Sequence, residues 1–200
     1  MRINQRKLLS FLIAALIIGA GVYVYFTFTP AMFGALIEPP VSRPNFTLAS
    51  NQGPVSLSAF RGKLVVLYFG YTACPDVCPT SLANLRQAMD LLNSQQAGQV
   101  QVIFISVDWK RDTPEKLASY AHAFHPSFIG LTGSRGEIDS VTRDFGIYFL
   151  LNEPDETGYY SVEHTASTAV LDRQGNLVLQ WPYGLQPSEL ASDLKVLLRR

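Results

Sequence analysis

The sequence predicts an α/β domain carried behind an N-terminal membrane-spanning helix. Two β-branched, apolar runs, "KLVVLYFGY" (63–71) and "VQVIFISVD" (100–108), read as buried strands. Segments with leucines at helical spacing alternate with them, the pattern of a sheet flanked by helices. Residues 8–28 contain no charged side chain.

As a helix, 8–28 spans about 31 Å at ~1.5 Å per residue, close to the thickness of bilayer hydrocarbon. Arg2, Arg6 and Lys7 precede it, and the next basic residue is Arg43. That asymmetry keeps 1–7 in the cytoplasm and exports the rest. A cleaved signal peptide would have a shorter apolar core, about 7–15 residues, and a small-x-small site. The stretch "TPAMFGALIEPP" offers no clean A-x-A, which favours an uncleaved anchor. The expected location is a bacterial inner membrane, crossed once, with the C-terminal domain in the oxidising periplasm. The proline-rich "IEPPVSRPNF" (37–46) reads as stiff and extended, which puts a linker at 29–43 and the folded domain at 44–200, beginning near Pro44. Hydrophobic residues make up 48% of the chain, enough for a real core; Lys+Arg and Asp+Glu are both 16, which argues against a nucleic-acid binder.

Within the domain, the strand at 63–71 leads into a cysteine loop. "PTSLANLRQAMDLLN" (79–93) then reads as a helix with Pro79 at its first position. After the strand at 100–108, "DTPEKLASYAHAF" begins on a capping signal of Asp112 or Thr113, proline and Glu115. "RGEIDSVTRDFG" is a short helix closed by Gly146, and "LLNEPDETGYYSVEH" a loop. "STAVLDRQGNLVLQW" reads as a hairpin turning at "DRQGN", and "QPSELASDLKVLLRR" as a last helix capped by Ser188. This order of elements is thioredoxin-like, an analogy that sets the fold and not the function.

The only cysteines, Cys74 and Cys78, lie in "YFGYTACPDVCPTSL". An electron-swapping disulfide, a pair of metal ligands and a structural staple all fit two thiols this close. With Pro79 in the first helical turn, Cys78 falls at or near the N-cap, where the helix terminus favours thiolate for either chemical use. The spacing is one residue wider than the C-x-x-C of oxidoreductases. A staple closing so short a loop would add little stability. A metal needs a third ligand. His122 and His125 stand at i, i+3 and read as a surface histidine and a helix-terminal one. His164, just before an apolar strand, reads either as a ligand or as a loop histidine. Two sulfurs and an imidazole suit copper, above all Cu(I), whereas zinc would want a fourth ligand. Of the methionines, Met1 and Met32 sit towards the N-terminus and Met89 reads as core.

Together "GYTACPDVCPTSL", "SVDWKRDTPEKL" and "VEHTASTAVLDRQG" resemble, in order and over 44–200, the SCO/SenC family of copper-binding cytochrome c oxidase assembly proteins. The resemblance implies an anchored thioredoxin-like domain that binds one copper ion through Cys74, Cys78 and His164. It implies delivery of copper, received from a periplasmic donor, to the dinuclear copper site of oxidase subunit II, or reduction of that site's cysteines. Cys74 and Cys78 would lock as a disulfide when oxidised. Asp108 matches an acidic family position near the metal; a hard carboxylate is a poor Cu(I) ligand, so it would support the site, or simply end a strand. Asp76 reads as a turn former. Family members often carry proline where this chain has Trp109. A copper carrier is the first reading and a thiol–disulfide reductase, which needs the cysteines but not His164, the second. A peroxidase-like thiol enzyme would need an arginine at the site, for which Arg143 is available. Tyr159, Tyr160, Trp181 and Tyr183 read as a docking patch or as core.

Overall fold

A computed structural model describes residues 5–28 and 32–200, which fall into two compact units, 1–31 and Met32–Arg200. In the first, α1 (Gln5–Phe28) is a continuous helix. The spanning segment expected at 8–28 lies within it, with the side chains of residues 8 and 22–28 outside the described ones. Among the described residues, no helix is long and apolar enough to cross a membrane. Residues 1–4 of the expected cytoplasmic stretch, and 29–31 of the expected linker, also lie outside them.

The second unit has, in chain order, β1 (Ala35–Ser42), β2 (Thr47–Ser50), β3 (Gly53–Ser56), β4 (Leu64–Gly70), α2 (Val77–Asp90), α3 (Ser94–Ala97), β5 (Val100–Ser106), α4 (Pro114–Phe124), β6 (Ile129–Leu131), α5 (Arg135–Asp144), β7 (Phe149–Leu151), β8 (Val162–His164), β9 (Thr168–Leu171), β10 (Asn176–Trp181) and α6 (Pro187–Arg199). Six strands form one sheet in the order β1-β10-β9-β4-β5-β6. β4 runs parallel to β5 and antiparallel to β9. Every residue of β4 and β5 is buried, as expected of parallel strands covered on both faces. Burying a side chain such as Phe69 or Phe104 contributes roughly 2 kcal/mol by transfer from water.

The linker expectation needs correcting. Residues 35–42 form an edge strand paired with β10, its register slipping between Leu36 and Val41 around Pro39 and Pro40. Proline cannot donate to a ladder, but an edge strand has one side without a partner strand, so the prolines are accommodated. The buried Asp193 of α6 ties this segment down further. It accepts hydrogen bonds from Phe33 N (3.0 Å), Gly34 N (2.9 Å) and Trp181 Nε1 (2.9 Å). The compact unit therefore starts at Met32, not near residue 44.

Several local expectations shift. α2 begins at Val77 with Asp76 as its N-cap residue, so Pro79 is its third residue and Cys78 its second. Gln186, not Ser188, caps α6. Thr113 caps α4, its side chain accepting from Lys116 N. The segment expected as a loop before His164 is a hairpin, β7 with β8, that pairs with no other strand among the described residues. The β9–β10 hairpin forms as expected, Asp172 accepting from Gln174 N and Asn176 N while Gly175 turns at φ +80°.

Candidate metal centre

β4 ends at Gly70, and the chain turns through Tyr71–Pro75 into α2. This places Cys74 in the turn, half-buried, and Cys78 fully buried beneath it. Gly70 makes room for the second sulfur: a Cβ there would lie 2.7 Å from Cys78 Sγ. The loop folds on itself, Cys78 N donating to Cys74 Sγ at 3.4 Å. Both thiols are free.

His164, the last residue of β8, arrives from the other side. Its Nε2 is 3.6 Å from Cys78 Sγ. The ligand atoms of Cys74, Cys78 and His164 all lie within 4.8 Å of one another. His164 Nδ1 is 3.1 Å from the carbonyl oxygen of Thr165. A carbonyl only accepts, so Nδ1 carries the proton and Nε2 presents its lone pair to the sulfurs. Burial also lowers the pKa of this imidazole, which favours the neutral, ligating form. Tyr71 packs edge-on against the ring, centroids 6.0 Å apart.

The helix terminus does not decide the state of Cys78. Burial pushes its thiol up to about 12, overriding the bias towards thiolate expected there. Without metal the buried sulfur holds its proton; a soft cation would displace it. A cleft of about 370 Å³, lined by Tyr71, Cys74, Pro75, Asp76, Glu163 and His164 among others, opens the site to one side.

Asp108 is buried but is not one of the grouped ligands. It pairs with Arg111 and accepts from Tyr160 Oη at 2.7 Å. Arg111 in turn donates to the Tyr160 carbonyl at 2.8 Å and lies 3.6 Å from the centroid of that ring and 5.7 Å from that of Tyr71. Asp108 thus acts through Arg111 on the segment leading into β8 and on the ring beside His164. Sequence reasoning missed this arginine, and it missed the second role of Asp112. Asp112 accepts from Thr72 N (2.9 Å), Thr72 Oγ1 (2.5 Å), Ser106 Oγ (2.6 Å) and Lys116 Nζ (3.0 Å). Burial alone would raise its pKa, but these bonds outweigh it and hold the carboxyl below its ordinary value. It anchors the start of the cysteine loop to β5 and α4. The density of charge in "DWKRD", right after a buried strand, was the available signal.

Other candidates fall away. His122 is exposed, and His125 ends α4 with Nδ1 accepting from Ser127 N. Arg143 is exposed on α5 and does not line the cysteine cleft. The four aromatics are not one patch: Trp181 is core, Tyr160 stacks under Arg111, and Tyr159 and Tyr183 are exposed.

Residues 35–199 match the family model described as SCO1/SenC. A SCO2-like protein of Rickettsia felis is 35% identical over 153 residues, 76% of this chain and 74% of its own length. The solution structure of apo Sco1 from Thermus thermophilus superposes with a TM-score of 0.73 at 41% identity, covering 85% of this chain and 96% of that one. ScoI of Arabidopsis thaliana, solved with copper bound, superposes at 0.72 with 34% identity, covering 78% and 98%. The family match and the structural likeness span nearly the whole second unit, and the chain belongs to the SCO1/SenC family.

Proposed function

We propose that this chain is a membrane-anchored copper carrier that binds one copper ion through Cys74, Cys78 and His164 and passes it to the dinuclear copper site of cytochrome c oxidase subunit II. The observation that carries the reading is the convergence of two sulfurs and His164 Nε2 within 4.8 Å of one another. Such a donor set suits Cu(I), while the half-buried Cys74 and the open cleft leave a side from which an acceptor can take the metal. Copper bound to the Arabidopsis relative supports it. The anchor reading is supported by α1, whose described side chains from Leu9 to Gly21 are exposed and uncharged. Arg2, Arg6 and Lys7 on the N-terminal side support the orientation in this reading: one crossing of a bacterial inner membrane, with the domain in the periplasm, where a donor would load it.

The adjacent free thiols favour one further reading, a reductase that passes two electrons to a partner disulfide and ends as a Cys74–Cys78 disulfide. One titration separates the two. The full-length chain in detergent, reduced and kept anaerobic, is titrated with Cu(I) against a competing chelator, beside His164→Ala. A carrier binds one equivalent, and the variant, losing one of three ligands, binds at least about 10-fold more weakly while still forming its disulfide. If parent and variant behave alike, or neither holds copper, the reductase reading replaces the carrier.

A further inference from the structure

His164 rides on the least supported element near the site. A two-stranded hairpin alone is marginal in water, and β7–β8 joins no larger sheet among the described residues. Its position depends on what packs against it. Arg111 holds the approach to β8 at Tyr160. On β7, Phe149 is the direct antiparallel partner of His164, so the two side chains leave the hairpin on the same face. Phe149 packs edge-on against Trp109, with ring centroids 5.9 Å apart and planes at 79°. Arg135, at the start of α5, lies 5.6 Å from the centroid of the Trp109 ring.

Arg135, Trp109 and Phe149 thus form a run of contacts from α5 to the strand opposite the copper-ligating histidine. Trp109 stands directly after Asp108, in a segment fixed by the Arg111 ion pair and by Ser106 Oγ, which accepts from Asp108 N at 3.1 Å. It is therefore a firm base. A proline at this position would have neither the ring area nor the π-face to make these contacts.

We infer that Trp109 is a positioning residue for His164: it braces β7 so that the imidazole is held towards the sulfurs, and this chain keeps copper three-coordinate more persistently than a chain with proline at the same place. The inference rests on the carrier reading, because it assigns a role towards a ligand that this reading names.

The test compares the full-length parent in detergent with Trp109→Ala, Trp109→Phe and His164→Ala. Three quantities are read: hydrogen exchange at the amides of β7 and β8, competitive Cu(I) affinity, and the nitrogen splitting in the Cu(II) paramagnetic resonance spectrum. In Trp109→Ala, hairpin exchange rises about tenfold, the size expected for losing one aromatic pair and one cation–π contact. Cu(I) affinity falls in the same direction and by no more than that factor, since it follows the closed, competent fraction of the hairpin. The nitrogen splitting weakens, and exchange in β4 and β5 stays unchanged. Trp109→Phe, which keeps an edge-on ring, restores all three. If Trp109→Ala matches the parent in hairpin exchange and copper binding while His164→Ala is weakened, the ligand reading stands and the brace is overturned. Equal acceleration of β4 and β5 overturns it too, by making Trp109 an ordinary stabilising residue, as does failure of phenylalanine to rescue. If His164→Ala binds copper like the parent, the ligand reading falls and takes the brace with it.

Discussion

Asp112→Ala tests whether the cysteine loop is held in place from beneath. The Asp112 carboxylate is almost wholly buried and accepts four hydrogen bonds. Truncation leaves Thr72 N, Thr72 Oγ1 and Ser106 Oγ without their acceptor. A buried donor so orphaned costs about 1–3 kcal/mol, and the half-buried Thr72 recovers part of that from water. About 3 kcal/mol is the expected sum at the low end of that range. The ion pair adds little, because the Lys116 side chain is 46% exposed and solvent screens it. In a domain of this size roughly 2–4 °C of melting temperature accompanies each kcal/mol, so the midpoint should fall by about 6–12 °C. The assay is thermal unfolding of the reduced full-length chain, followed by circular dichroism, in a double-mutant cycle with Thr72→Val. A coupling of about 1 kcal/mol between the two sites is expected. Thr72 lies next but one to Cys74, so Cu(I) affinity should fall with stability. A drop of less than about 2 °C, or no coupling in the cycle, would refute the anchoring role.

Two further outcomes follow from the same geometry. Asp112 has its pKa depressed in the folded state, so its stabilisation is complete above the ordinary carboxylate value of about 3.9 and is lost as pH falls through the lower folded value. The denaturant midpoint of the parent should therefore drop more steeply below about pH 4 than that of Asp112→Asn, and parallel curves would exclude the effect. Gly70→Ala would place a methyl 2.7 Å from Cys78 Sγ and 3.0 Å from Phe104 Cε2. Overpacking there should cost about 1–3 kcal/mol and shift the sulfur, so the chelator competition should show weakened Cu(I) binding, while unchanged affinity would mean the sulfur does not move.

What the sequence disclosed about this protein was whatever its residues encode locally. β4 and β5 announced themselves because strands buried on both faces must be apolar throughout. Cys74 and Cys78 stood out because they are the only two cysteines and lie in one short stretch. The β9–β10 turn stood out because Asp172 and Gly175 are the residue types such a turn requires. β1 was hidden by its prolines, which elsewhere signal a linker but are harmless on an edge strand; only the distant strand β10 and Asp193 reveal its place. β7 and β8 were hidden because each has only three residues, too few to show alternation. The metal centre divides along the same line. Its two sulfurs come from one turn and were legible as a pair, whereas His164 lies 86 residues beyond Cys78 in sequence and meets it only through the fold. The supports, Arg111 on Tyr160 and Asp112 on Thr72, are long-range as well, and the charges of "DWKRD" look from the sequence like a solvated loop. Burial changes their meaning. A carboxylate removed from water must find donors, and those found by Asp108 and Asp112 sit on the segment leading to His164 and on the cysteine loop itself. The two acids flanking "WKR" therefore hold the two halves of the centre, one each, from a single turn after β5.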